Sequence, residues 1–62
     1  MGARLAKAFD IAKDAGGMAQ AMRLAMKSGM SAAKAAAEPD SPENISKMQN
    51  ALKEVCGKMV TL

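Results

Sequence analysis

Sixty-two residues with a net charge of +3 allow one small domain, because a chain this short leaves much of its surface in water when it folds alone. Half of the residues are hydrophobic, yet fourteen are alanine, seven are methionine and the only aromatic is Phe9, so the expected core is small. The lack of His, Tyr and Trp excludes most catalytic constellations, and the single cysteine, Cys56, excludes a disulfide within the chain.

The first predicted helix covers about residues 3–15. It places Leu5, Ala8, Phe9, Ala12 and Ala15 on one side at three- and four-residue steps, with Lys7, Asp10 and Asp14 opposite. Gly16-Gly17 ends it, as a flexible joint or a C-terminal cap that would let this segment move relative to the rest.

The second predicted helix covers about residues 18–37 and is rich in Ala and Met, both strong helix formers. Met18, Met22, Met26 and Met30 share one broad arc with Ala25, Ala33 and Ala36, while Arg23, Lys27 and Lys34 line another. Ser28-Gly29 is its weak point, and Ser31 offers an alternative cap for a fresh short helix. Continuity through Gly29 is the expectation, since a glycine within the methionine arc would let another backbone approach closely.

Glu38-Pro39-Asp40-Ser41-Pro42 is the clearest punctuation. Pro39 ends the preceding helix, Ser41 has the character of an N-cap, and Pro42 and Glu43 suit a first helical turn. The third predicted helix, about residues 43–60, carries Ile45, Met48, Leu52, Val55, Cys56 and Met59 on one face. The expected fold is therefore all-α: a helical hairpin of residues 18–37 and 43–60 turning at Pro39, Ser41 and Pro42, with a short N-terminal helix. Two narrow apolar faces zipped together leave apolar surface over, which argues for assembly.

No constellation suggests a metal or cofactor, and none is expected. Methionine sulfurs on successive i+4 steps drift about 40° around a helix axis, so four of them do not converge on a copper ion. Cys56 on an apolar face reads as a buried small hydrophobe. Arg23, Lys27 and Lys34 form a basic stripe, but without aromatics for stacking or a DNA-binding motif no nucleic-acid partner is expected. No run reaches the roughly 18 to 20 apolar residues of a membrane span. The stripe beside the methionine arc leaves peripheral membrane contact open. The N-terminus does not read as a Sec signal, being interrupted by Lys7, Asp10, Lys13 and Asp14.

From Pro39-Asp40-Ser41-Pro42-Glu43 through Ile45, Lys47, Met48, Gln49, Ala51, Leu52 and Val55, the sequence resembles the needle subunits of type III secretion systems. The likeness covers about residues 32–55. It implies a helical hairpin turning at a Pro-x-x-Pro loop, with an Ala- and Lys-bearing helix entering the turn, matched by Ala33-Lys34-Ala35-Ala36-Ala37. Members of that family stack helically into a hollow export tube, and the side of the helix after the turn forms much of their inter-subunit packing.

The expected function is a non-enzymatic assembly subunit, in its most specific form a needle-like filament protein packing on copies of itself. Its interface would be Ile45, Met48, Leu52, Val55 and Met59, together with Met22, Met26 and Met30. Leu52→Asp is then expected to disperse the assembly. The alternatives are a small adaptor or inhibitor docking its methionine helix on a larger protein, and a cationic membrane-active peptide. A needle-like protein would be extracellular by a specialised secretion route; the other readings place the chain in the cytoplasm.

Overall fold

Two adjacent glycines decide the path of the first half of the chain. The computed structural model describes residues 1–62 and has three helices: α1 (Ala3–Ser28), α2 (Ala32–Ala37) and α3 (Pro42–Cys56). A straight helix the length of α1 would span about 39 Å at 1.5 Å per residue, whereas the longest dimension of the whole molecule is 25 Å. The helix kinks at Gly16 and Gly17, where Gly17 takes φ 69°, ψ −151°, a combination open in practice only to a residue without Cβ. Residues 3–15 and 18–28 therefore run as two rods that both face one core.

The fold is all-α. Its two long helices, α1 and α3, pack against each other as a helical hairpin, and α2 packs on α1. Leu5, Ala8, Phe9 and Ala12 enter the core from the first rod and Ala21 and Leu24 from the second. Met30, Ala35, Met48, Ala51 and Leu52 complete it. The spacing on each helix is the three- and four-residue step that brings side chains onto one face. Alanines at Ala8, Ala12, Ala21, Ala35 and Ala51 let the helices approach closely enough for so few large side chains to close the interior.

Three features differ from the sequence reading: two helix boundaries and the docking of the N-terminal rod. The helix does not continue through Gly29, which adopts the left-handed conformation and caps α1 through its N–H to the Ala25 carbonyl. Buried Ser28 donates its hydroxyl to the Leu24 carbonyl at 2.7 Å, and Ser31 starts α2 by accepting from the Lys34 N–H. The break turns Met30 inward, where it is 4% exposed, away from the exposed Met18, Met22 and Met26. The helix α3 stops at Cys56 rather than near residue 60, because left-handed Gly57 caps it with an N–H to the Lys53 carbonyl. The turn follows the reading: Ser41 accepts from the Asn44 N–H at 3.2 Å, Pro42 and Glu43 open α3, and α2 ends before Glu38-Pro39.

The third difference concerns the N-terminal rod, which is docked rather than free to swing. Its cap residue, Gly2, has no side chain to bond the orphan amides of the first turn. Asp40, across the fold in the hairpin turn, accepts from the Arg4 N–H at 3.2 Å and the Leu5 N–H at 3.4 Å instead. The Gly2 N–H donates to the Ala36 carbonyl at 3.0 Å. A Cβ on Gly2 would lie 2.1 Å from the Ala35 carbonyl oxygen and 2.5 Å from that of Glu38, so backbone meets backbone there with no room for any side chain.

Two stability measurements check this docking. Gly2→Ala, forcing the rod off α2, is expected to lower unfolding free energy by about 1–3 kcal/mol in chemical denaturation, the usual cost of overpacking. Asp40→Ala, removing a remote cap, is expected to cost about 1 kcal/mol. An unchanged midpoint for both variants would mean that the Gly2 and Asp40 contacts add nothing to the docking of the first rod.

Candidate functional site

The second rod of α1 is apolar on more sides than the core uses. At about 100° per residue, Ala21, Leu24 and Ser28 point inward and are buried, with Gln20 and Ala25 at the margins. Met18, Ala19, Met22 and Met26 sweep about 100° of the opposite, outward side, and all are exposed. The three methionines are 69%, 66% and 83% exposed. Only Arg23 and Lys27 interrupt the outward side with charge. A helix that is apolar nearly all round is ordinarily buried on all sides.

The other long helical faces do what solvated faces ordinarily do. The first rod turns Arg4, Lys7, Asp10, Lys13 and Asp14 outward, and α3 turns out Glu43, Lys47, Asn50, Lys53 and Glu54. The methionine strip is thus a local departure, and scattered single apolar residues would not give a contiguous ridge of this kind.

Two shallow depressions flank the ridge. One is bordered by Phe9, Lys13, Met18, Met22, Ala25 and Ala32, and the other by Arg23, Met26, Lys27, Glu54 and Val55. The rod is held against α3 by the Gln20 side-chain amide, which donates to the Val55 carbonyl at 3.0 Å. Lys27 and Glu54 form the one ion pair at 3.8 Å. Both side chains are well exposed, so that pair adds little to stability.

The structure separates the residues that the sequence reading grouped as an interface. Met48 and Leu52 are fully buried and Met30 nearly so, all three in the chain's own core. A side chain already enclosed by its own fold is not offered to another molecule, so these three leave the candidate site. Ile45 and Val55 are half-buried and packed on the core edge. Met59 is exposed but lies past the end of α3, off the helix face on which the reading put it. Met22 and Met26 remain, joined by Met18 and Ala19 at the same helical register. Lys13 was not legible as a neighbour of this strip, because the Gly16-Gly17 kink, rather than helical spacing, brings it there. No helix is long and apolar enough to cross a membrane. No family model, curated protein or solved structure matches this chain.

Burial at these positions reverses an expectation about Leu52. Leu52→Asp places a carboxylate in a closed apolar interior at a cost of several kcal/mol, so circular dichroism should report an unfolded chain rather than a dispersed but folded one. Met22→Glu, at an outward position, should leave unfolding free energy within about 0.5 kcal/mol of the parent. A folded Leu52→Asp protein, or an unfolded Met22→Glu protein, would show that these inward and outward assignments are exchanged.

Proposed function

We propose that this chain is a non-enzymatic helical interaction module that docks the Met18–Met22–Met26 strip on a larger protein. The single observation carrying this reading is the outward apolar face of the second rod, where the outward faces of the first rod and α3 are charged. Covering such a ridge removes apolar surface from water at roughly 25 cal/mol per Å². Methionine suits the task because its unbranched, polarizable side chain adapts to an irregular partner surface.

The needle-like filament remains the alternative assembly. It drew its interface mainly from α3, whose Met48 and Leu52 are taken up by the core, so a filament of this chain would have to grow through the methionine strip and Met59. The two readings differ in stoichiometry.

A photo-crosslinking amino acid substituted at Met22, and separately at Lys47 on the charged side of α3, decides between them. An adduct of one fixed mass at position 22, with none at position 47, is the expected result in cells. A ladder of self-adducts would favour the filament. No adduct at either position would remove the interaction reading altogether.

A further inference from the structure

The occupant of the methionine strip can be narrowed by the charges that border it. Cations stand on both flanks: Lys13 at the depression beside Phe9, and Arg23 and Lys27 at the depression beside Val55. The one carboxylate at either border, Glu54, is already paired with Lys27. Lys13 and Arg23 have no ion-pair partner within the chain.

From this geometry, and resting on the interaction reading above, we infer that the strip receives an amphipathic helix of another protein whose apolar stripe is edged by carboxylates. Residues 18 to 26 extend about 12 Å along the rod axis at 1.5 Å per residue. That is a little over two helical turns, the length over which apolar side chains at i, i+3, i+4 and i+7 form one stripe. Acidic residues edging that stripe meet Lys13 on one side and Arg23 on the other.

A second copy of this chain is the poorer occupant. Strip-to-strip packing about a two-fold axis brings the same bordering residues of both copies together. Here that concentrates Lys13, Arg23 and Lys27 at one contact with only Glu54 to offset them, and like charges at an interface select against pairing. A membrane surface is also poorer, since the chain has no Trp or Tyr and Phe9, beside the strip, is buried and cannot anchor at the headgroup level.

Two fluorescent synthetic helical peptides test the inference against the full chain. Both carry the same leucine stripe, one edged with glutamates and the other with lysines, and binding is read by anisotropy. The glutamate peptide is expected to bind about tenfold or more tighter, from a few exposed pairs acting together, and high salt should shrink that preference. Lys13→Glu combined with Arg23→Glu should reverse it, and Met22→Glu or Met26→Glu should abolish binding of either peptide.

Equal affinity for the two peptides would overturn the acidic partner while leaving the strip as a docking face. Stronger binding to phosphatidylserine vesicles than to either peptide would overturn it in favour of a membrane. Dimerisation lost in Met22→Glu, seen by sedimentation, would overturn it in favour of a second copy. Failure of both peptides to bind also overturns the inference. Adducts at position 22 would then show that the strip still docks on a protein of other chemistry, and their absence would end both readings.

Discussion

The structure depends on the kink at Gly16-Gly17. Leu5 and Phe9 on one rod, and Leu24 on the other, reach the same interior only because the chain changes direction between them. Without the kink, α1 would project beyond the rest of the molecule, and its two rods would not both pack on the core. The backbone geometry at Gly17 is costly for any residue with a Cβ, so a core of eleven buried side chains rests on one position where a side chain is excluded. The same bend also sets how the second rod is rotated, and hence which methionines face outward.

That rotation explains how a short chain with few large apolar residues closes a core and still leaves methionine exposed. The seven methionines serve different ends. Met30 and Met48 fill the interior, where flexible thioethers accommodate gaps between alanine-rich helices. Met18, Met22 and Met26 stand outside on a rod whose inner side is already satisfied by Ala21 and Leu24. Interior demand does not account for them, and the residues bordering them include Lys13, Arg23 and Lys27.

Much of the fold was legible in the sequence because local chemistry and global packing agree there. The three- and four-residue spacing of Leu5, Phe9 and Ala12, the cap at Ser41 and the proline at Pro42 each specify structure over a few residues, and the chain adopts them. The boundaries that differ from the sequence reading depend on competition between local options. Gly29 could have been tolerated within a helix, but ending the helix there satisfies its last carbonyls and buries Met30. Gly57 settles the end of α3 in the same manner. The candidate site was less legible than the fold. Periodicity groups Ile45, Met48, Leu52 and Val55 correctly on one face, but it does not say whether that face meets the chain itself or a neighbour. Fourteen alanines make this question hard, because their small side chains fit core and surface alike.

The two bonds that Asp40 accepts from the amides of Arg4 and Leu5 tie the start of the chain to a residue far along it. During synthesis the N-terminal segment leaves the ribosome first, yet the carboxylate that completes its opening turn is made some thirty-five residues later. Until Asp40 emerges, that turn has only water for its orphan amides. A helix first in sequence thus draws its capping carboxylate from the turn ahead of α3, and closing the bundle needs the chain beyond that turn as well, since Met48, Ala51 and Leu52 complete the core.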